Sequence, residues 1–359
     1  MPAPSSIKQA APDQGMDPNT FFSLPDAYPL EFGQGKVSLA PMTRETYARS
    51  IFLDSGRIVA AGQQGWVFAI DAMLQEFERR QVLIRPLKFI FHMAHCGSTL
   101  LARALDVPGR TLVLREPYTL RQLGASAASR REGPGNPEIW QRCLRMMTGL
   151  LSRRWSDQEE VLIKANVPVN FIIDSLLAVA PPSRGVLLHC GFERYVLSVL
   201  KTPDHQNWVA NVTRHMAGGI GTTPGLESVD PAALTTPEAA ACLWLAQMRR
   251  FESALAAHDG LASLDCDAFF ADPATVLPAA VRWLGLDVSD EQIAGIVASE
   301  LFQRHGKDPG RPYGQADRER ELAMLAQGMV QPLEQARRWL TGVAGETATD
   351  LALDRPLGA

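Results

Sequence analysis

The chain has 359 residues, 46% of them hydrophobic, enough to bury a sizeable core in one large α/β domain with embellishments or in two small ones. Lys plus Arg number 35 against 39 for Asp plus Glu, and the formal charge of −4 argues against any general attraction to nucleic acid or an anionic membrane, so an anion site must be local. The N-terminus lacks a basic start followed by an apolar stretch, and the five cysteines are widely spaced without a Cys-x-x-Cys pair; this disfavours export, a membrane span, a disulfide framework and a zinc site, and leaves the cytoplasm as the default compartment.

Residues 1–20 are rich in Pro, Ala, Ser and Gln and are expected to form a disordered tail, because they carry too little apolar surface to offset their ordering entropy. Residues 21–86 read as a small N-terminal subdomain with short strands over 37–39, 51–53 and 66–70 and a helix over 71–80. The run 88–92 is a buried strand, the helical spacing from Thr99 onward is a helix, and 111–114 is a second strand ending at Arg115-Glu116-Pro117. Strand, helix and strand in about 30 residues make a βαβ unit. The segment 125–136 lacks periodicity and reads as a loop able to cover a site. Asn136-Pro137 then starts a helix whose stripe of Ile139, Trp140, Cys143 and Met147 is core packing.

Alternation continues with strands over 161–164, 185–189 and 261–264 and helices over 169–180, 193–201 and 237–258. That order predicts a parallel sheet with helices on both faces. Residues 202–230 read as a long polar connection, 290–299 as a helix and 316–340 as one long amphipathic helix. The α/β domain is expected to span 87–344, with a flexible tail over 345–359.

Between the strand at 88–92 and its helix lies His95-Cys96-Gly97-Ser98-Thr99. A strand that turns through glycine into a helix leaves backbone N–H groups aimed at one point, an anion cradle. It is not a Walker loop: no lysine follows Gly97 to reach terminal phosphates, so the hydroxyls of Ser98 and Thr99 suit an anion that needs no metal.

These five residues resemble, in order, the 5′-phosphosulfate loop of sulfotransferases that use 3′-phosphoadenosine 5′-phosphosulfate (PAPS). The segment DCDAFFADPATVLPAAVRWLGLDV over 265–288 is similar to a late segment of the same group, nearest to its bacterial and tyrosylprotein-type members. The resemblance covers about 88–340 and implies a P-loop-like sheet of the sulfotransferase type, a PAPS donor without a metal, and a small-molecule or peptide acceptor. It implies a base at Glu116 and a charge-stabilising Lys164. Unperturbed, a glutamate titrates near 4.3, so burial is expected to raise Glu116 if it is to act as a base near neutrality. His95 occupies a place usually taken by Lys or Arg, Ser198 matches the serine that holds the 3′-phosphate, and Cys190 stands where relatives carry an arginine. Arg194 is the substitute at hand, with Lys307 and Arg311 in a late basic loop.

The residues by themselves leave alternatives. Glu116 could simply precede the helix headed by Pro117, and Lys164 could be a surface lysine with a buried stem. A protein that keeps the fold but has lost turnover, a magnesium-dependent kinase and a cysteine phosphatase all stay open. For the last, Cys96 sits at a helix start that would favour a thiolate, although six residues rather than five separate it from Arg103. No motif encodes the acceptor or an oligomeric state.

Overall fold

Five short apolar runs become the strands of one parallel sheet in the computed structural model, which describes residues 8–9, 18–59, 64–129, 136–306 and 308–358. They are β1 (Lys88–His92), β2 (Thr111–Arg115), β3 (Glu160–Lys164), β4 (Arg184–His189) and β5 (Leu261–Asp265). Their spatial order is β2-β3-β1-β4-β5, every pair parallel. Nearly every residue in them is buried, which is why they read as continuous apolar runs rather than alternating ones. β1 lies at the centre, with β3 on one side and β4 on the other, so a crevice opens beyond its carboxyl end where open α/β sheets bind ligands.

Register places the chemistry. Arg115 pairs with Lys164, and the next amide, that of Glu116, donates to the Lys164 carbonyl at 2.7 Å. Two distant segments therefore end side by side at the same sheet edge as the glycine turn.

The helices that matter are α1 (Ser98–Ala104), α2 (Tyr118–Ala128), α3 (Pro137–Leu151), α4 (Phe192–Leu200), α5 (Pro203–His215), α6 (Thr236–Ala257), α7 (Cys266–Ala271), α8 (Pro273–Leu284), α9 (Gln315–Gly328) and α10 (Val330–Ala344). α3 starts as expected, with the Asn136 side chain accepting from the Glu138 amide at 2.9 Å. Among the described residues no helix is long and apolar enough to cross a membrane.

Several expectations give way. The polar stretch 202–230 holds α5 and a short helix at Ala217–Gly221: Thr202 accepts from the His205 amide and Pro203 sits at the first helical position, a complete start signal within a polar composition. The segment 125–136 begins as the last turn of α2, and 130–135 lie outside the described residues. The single helix expected over 316–340 is two, broken at Met329, whose φ of −120° leaves the helical region between Gly328 and the approach to Pro332.

In the N-terminal segment, strands Lys36–Pro41 and Gln64–Ala69 form an antiparallel sheet with Ala27–Gly33, an edge strand disguised in the sequence by Pro29. Residues 51–53, expected as a strand, form a bend whose Leu53 amide donates to the Arg115 carbonyl at 2.8 Å. The buried Arg115 guanidinium donates to the carbonyls of Tyr47, Ala48 and Ser50 at 2.9 to 3.0 Å. Tyr28 and Leu39 belong to the same buried cluster as Phe89 and Leu187. The segment is thus stitched onto the end of β2, where it presents Phe52 to the crevice. Most of 1–20 lies outside the described residues; Lys8–Gln9 pair with Gln64 and Gly65, and a helix occupies Pro18–Ser23. At the other end, the Leu357 amide donates to the Ser263 carbonyl at 2.9 Å and the Ser263 amide to that of Arg355 at 3.0 Å, so the segment expected to fray lies along the edge of β5.

Candidate active site

The turn after β1 forms because two residues accept left-handed backbone: His95 at φ 63° and Gly97 at φ 79°. Histidine is among the few side chains that visit this region at modest cost, whereas at Gly97 the Phe270 ring fills the place of a Cβ. Ser98 and Thr99 open α1, and His95, Gly97, Ser98 and Thr99 all line a cavity of about 720 Å³ at the carboxyl edge of the sheet. Cys96 points the other way. Its thiol is fully buried, donates to the Met93 carbonyl at 2.6 Å, and is pushed far up by burial. A nucleophilic thiolate is therefore not available at Cys96, and what this residue can offer an anion is its backbone.

Glu116 also adopts left-handed backbone, at φ 56°, without being glycine. Such a conformation persists only where its surroundings hold it, here the hydrogen bond from the Glu116 N–H to the Lys164 carbonyl and the Pro117 start of α2. The twist turns the carboxylate inward, where the Lys164 ammonium donates to Oε1. The Lys164 side chain is 1% exposed and the Glu116 side chain 22%. The ammonium also lies 5.2 Å from the centre of the Phe52 ring. Against Oε1 from a third side stands the buried His92, its Nε2 at 3.6 Å.

Burial alone would push the Glu116 carboxyl up, but the Lys164 ammonium outweighs it and holds the carboxyl well below the usual carboxylate range. The elevation expected from burial is reversed, because burial brought a cation with it. Neither residue is a surface bystander: both line the cavity that the glycine turn faces.

Later elements carry the other cationic side chains. Ser198 and Lys201 project from and just after α4, Arg194 from its first turn, and Arg318 from α9, and all four line the cavity. The late basic loop expected around Arg311 is a short hairpin: Arg311 lies in a strand, Asp308–Pro312, paired antiparallel with Arg304–His305, and Tyr313 follows it, while Lys307 lies outside the described residues. Several of these charges already have partners. Arg194 Nε is 2.5 Å from an Asp267 carboxylate oxygen, and Lys201 Nζ is 3.2 Å from Glu321, which also accepts from the Tyr313 hydroxyl at 2.6 Å. The Arg318 guanidinium stacks 4.6 Å over Phe270, the ring that closes on Gly97. Cys190 is buried, with its carbonyl accepting from the Trp244 indole at 3.0 Å, and does not reach the cavity. His205 packs its ring 4.1 Å from that of His95 and is anchored through Nδ1 to the Ser198 carbonyl at 3.0 Å.

The structure thus gathers His95, Gly97, Ser98, Thr99, Glu116, Lys164, Arg194, Ser198 and Arg311 around one cavity and turns the side chain of Cys96 away from it. It adds residues the sequence reading missed: Phe52, His92, Lys201, His205, Trp208 and Arg318. Lys201 was within reach of inference, since it lies three residues after Ser198 and shares its helical face. Arg318 and Phe52 come from segments with no motif. Chemically, the cavity offers a backbone cradle and a row of cations for a di- or tri-anionic ligand, with one carboxylate able to accept a proton beside one buried ammonium able to meet developing negative charge.

No protein-family model matches the chain, and no curated protein matches it. Among solved structures it is similar to a sulfotransferase from Mycobacterium tuberculosis H37Rv, at 16% identity over 72% of this chain and 80% of that one, with a TM-score of 0.40. A sulfotransferase from Alicyclobacillus acidocaldarius is 12% identical over 72% of this chain and 96% of its own, with a TM-score of 0.35. The sulfotransferase domain from the curacin biosynthetic pathway is 10% identical over 68% and 98%, with a TM-score of 0.39. Scores this low carry no argument, so a functional reading rests on the cavity itself.

Proposed function

We propose that the chain is a sulfotransferase that moves the sulfuryl group of PAPS to a hydroxyl or amine of an acceptor. The observation that carries this reading is the meeting of the glycine turn and the Glu116–Lys164 pair in one cavity, at the carboxyl edge of a parallel sheet. The fit is chemical: a nucleotide with anionic groups at both ends of its ribose suits a cavity lined by a backbone cradle and by Ser198, Lys201 and Arg318.

The donor supplies an activated sulfuryl group whose transfer needs no metal. The amides of residues 97–99 and the start of α1 bind its anionic end, and the Ser98 and Thr99 hydroxyls fix its orientation. Lys164, desolvated and 1% exposed, meets the charge that builds on the leaving phosphate oxygen. As that anion draws the ammonium toward itself, the carboxylate of Glu116 loses part of the influence that holds its proton affinity down, and becomes a better base for the acceptor proton. His95, Ser198, Arg194 and Arg311 are proposed as binding residues, with Lys307 assigned on the sequence alone.

Calorimetry with 3′-phosphoadenosine 5′-phosphate tests the reading directly. Binding at micromolar levels is expected, and none at millimolar nucleotide would sink it. A second reading, a nucleotide-binding protein without turnover, draws on the engagement of Arg194 by Asp267. It predicts normal nucleotide binding with no transfer of labelled sulfate from PAPS to any of a panel of phenols, alcohols and amines.

A further inference from the structure

His92 ends β1, is 4% exposed, and has no part in the mechanism above. Its Nδ1 lies 2.8 Å from the Met93 carbonyl oxygen, which can only accept, so Nδ1 carries the ring hydrogen of the neutral imidazole. That leaves Nε2 as a bare lone pair, buried and, among the described residues, without a hydrogen-bond partner. The atom it faces, Glu116 Oε1 at 3.6 Å, is also an acceptor. Two acceptors confront each other in a buried place with no hydrogen between them, which explains a separation longer than a hydrogen bond. The pair is one proton short.

We propose that His92 and Glu116 form a proton-sharing dyad in which His92 is the positioning residue: it receives, through Glu116, the hydrogen bond of the proton that the acceptor gives up. The inference rests on the transferase reading above. In the transfer step the acceptor O–H bond breaks as its oxygen bonds to sulfur, and the bond from sulfur to the nucleotide phosphate oxygen breaks with its electron pair going to the phosphate. The proton passes to the Glu116 carboxylate and is then shared between Glu116 oxygen and His92 Nε2. The arrangement answers the difficulty that the Lys164 ammonium creates, since a carboxylate held low needs help to retain a proton.

The charged and titratable groups facing the ring are few. Glu116 favours its protonation and Lys164 opposes it, while burial lowers its proton affinity overall and keeps the resting ring neutral. The Cys96 thiol shares the Met93 carbonyl with Nδ1, and the Asn170 amide donates to the His92 carbonyl at 3.0 Å, so the ring is clamped from behind.

Nitrogen-15 NMR of histidine-labelled protein, together with His92→Asn, tests this. Asn can keep the donor to the Met93 carbonyl but has no basic nitrogen at the Nε2 position. The expected spectrum shows His92 as the Nδ1–H tautomer at neutral pH, with its titration moved to lower pH in Glu116→Gln because the favourable carboxylate is gone. His92→Asn should bind 3′-phosphoadenosine 5′-phosphate within about two-fold of the parent and lose kcat by about 10²-fold. The acid limb of its kcat profile should also move to lower pH, since Glu116 then titrates alone beside Lys164. An Nε2–H tautomer, a His92 titration indifferent to Glu116→Gln, or a His92→Asn enzyme with the parental kcat and pH profile would each overturn the dyad. Failure of the parent protein to bind the nucleotide would instead overturn the transferase reading, and the NMR result would still decide whether the two groups share a proton.

Discussion

Two groups of charge lining the cavity are held in opposite ways. At the sheet edge a single ion pair, Glu116 with Lys164, is fixed by strand register, by a left-handed backbone and by near-complete burial of the lysine. Elsewhere in the cavity, Arg194, Lys201 and Arg318 are partly exposed, come from two helices, α4 with its C-cap and α9, and share their charge with Asp267, Glu321 or aromatic faces. Buried charge has no substitute partner, so removing one member strands the other; exposed charge re-pairs or hydrates. The buried end should therefore behave as one cooperative unit and the exposed end as a set of small, separable contributions.

The largest expected effect breaks the buried unit. Lys164→Met leaves the Glu116 carboxylate without its cation and should lower stability by about 3 kcal/mol in urea unfolding. Transfer activity should fall on the order of 10³-fold. Adding Glu116→Gln to Lys164→Met should restore most of the stability and none of the activity; additive losses in the double variant would show that the two residues do not act as a pair. Next comes Gly97→Ala, which forces a side chain into left-handed backbone and against the Phe270 ring. It should cost about 1–2 kcal/mol and weaken nucleotide binding at least about tenfold.

A pH series sharpens the contrast. Because the folded Glu116 carboxyl lies below its unfolded value, its contribution to stability is complete above about 4.5 and is lost as pH falls below that. Glu116→Gln should therefore show a shallower loss of stability in thermal unfolding between neutral pH and strong acid. An equal slope in both proteins would mean that the Lys164 contact does not persist in solution.

The buried end was also the more legible one. Strand runs such as 88–92 and 161–164 are short, apolar and bounded by turns, so the positions of Glu116 and Lys164 at strand ends, and of Gly97 in the turn after one, followed from pattern alone. What pattern did not carry was direction. Nothing in His-Cys-Gly-Ser-Thr says that Cys96 packs inward while His95 faces the cavity, and nothing in a lone glutamate says that a lysine 48 residues later reverses the effect of burial. His92 read as the last residue of a strand, because its neighbour across the edge is set by register rather than by sequence distance. At the exposed end the signals were local but unlike a helix in composition: α5 rests on the Thr202-Pro203 start, and Arg318 belongs to a helix separated from its neighbour by the break at Met329. Long-range placement of single side chains, as with Phe52 delivered by the Arg115 clamp, leaves no periodic trace at all.

The smallest effect tests whether the exposed cations bind the nucleotide as separate groups. Arg194 is held by Asp267, and an ion pair of that kind competes with a phosphate for the same guanidinium. Asp267→Asn keeps the shape and removes the competing charge, so 3′-phosphoadenosine 5′-phosphate should bind roughly two- to five-fold more tightly. Adenosine 5′-phosphate, which lacks the 3′-phosphate, should gain nothing beyond the weaker long-range attraction. An equal gain for both nucleotides would assign Arg194 to general electrostatics and leave recognition of the 3′ end to Ser198, Lys201 and Arg318. A gain confined to the 3′-phosphate would place Arg194 where the buried Cys190 does not reach, with its strength set by how readily an acid on α7 releases it.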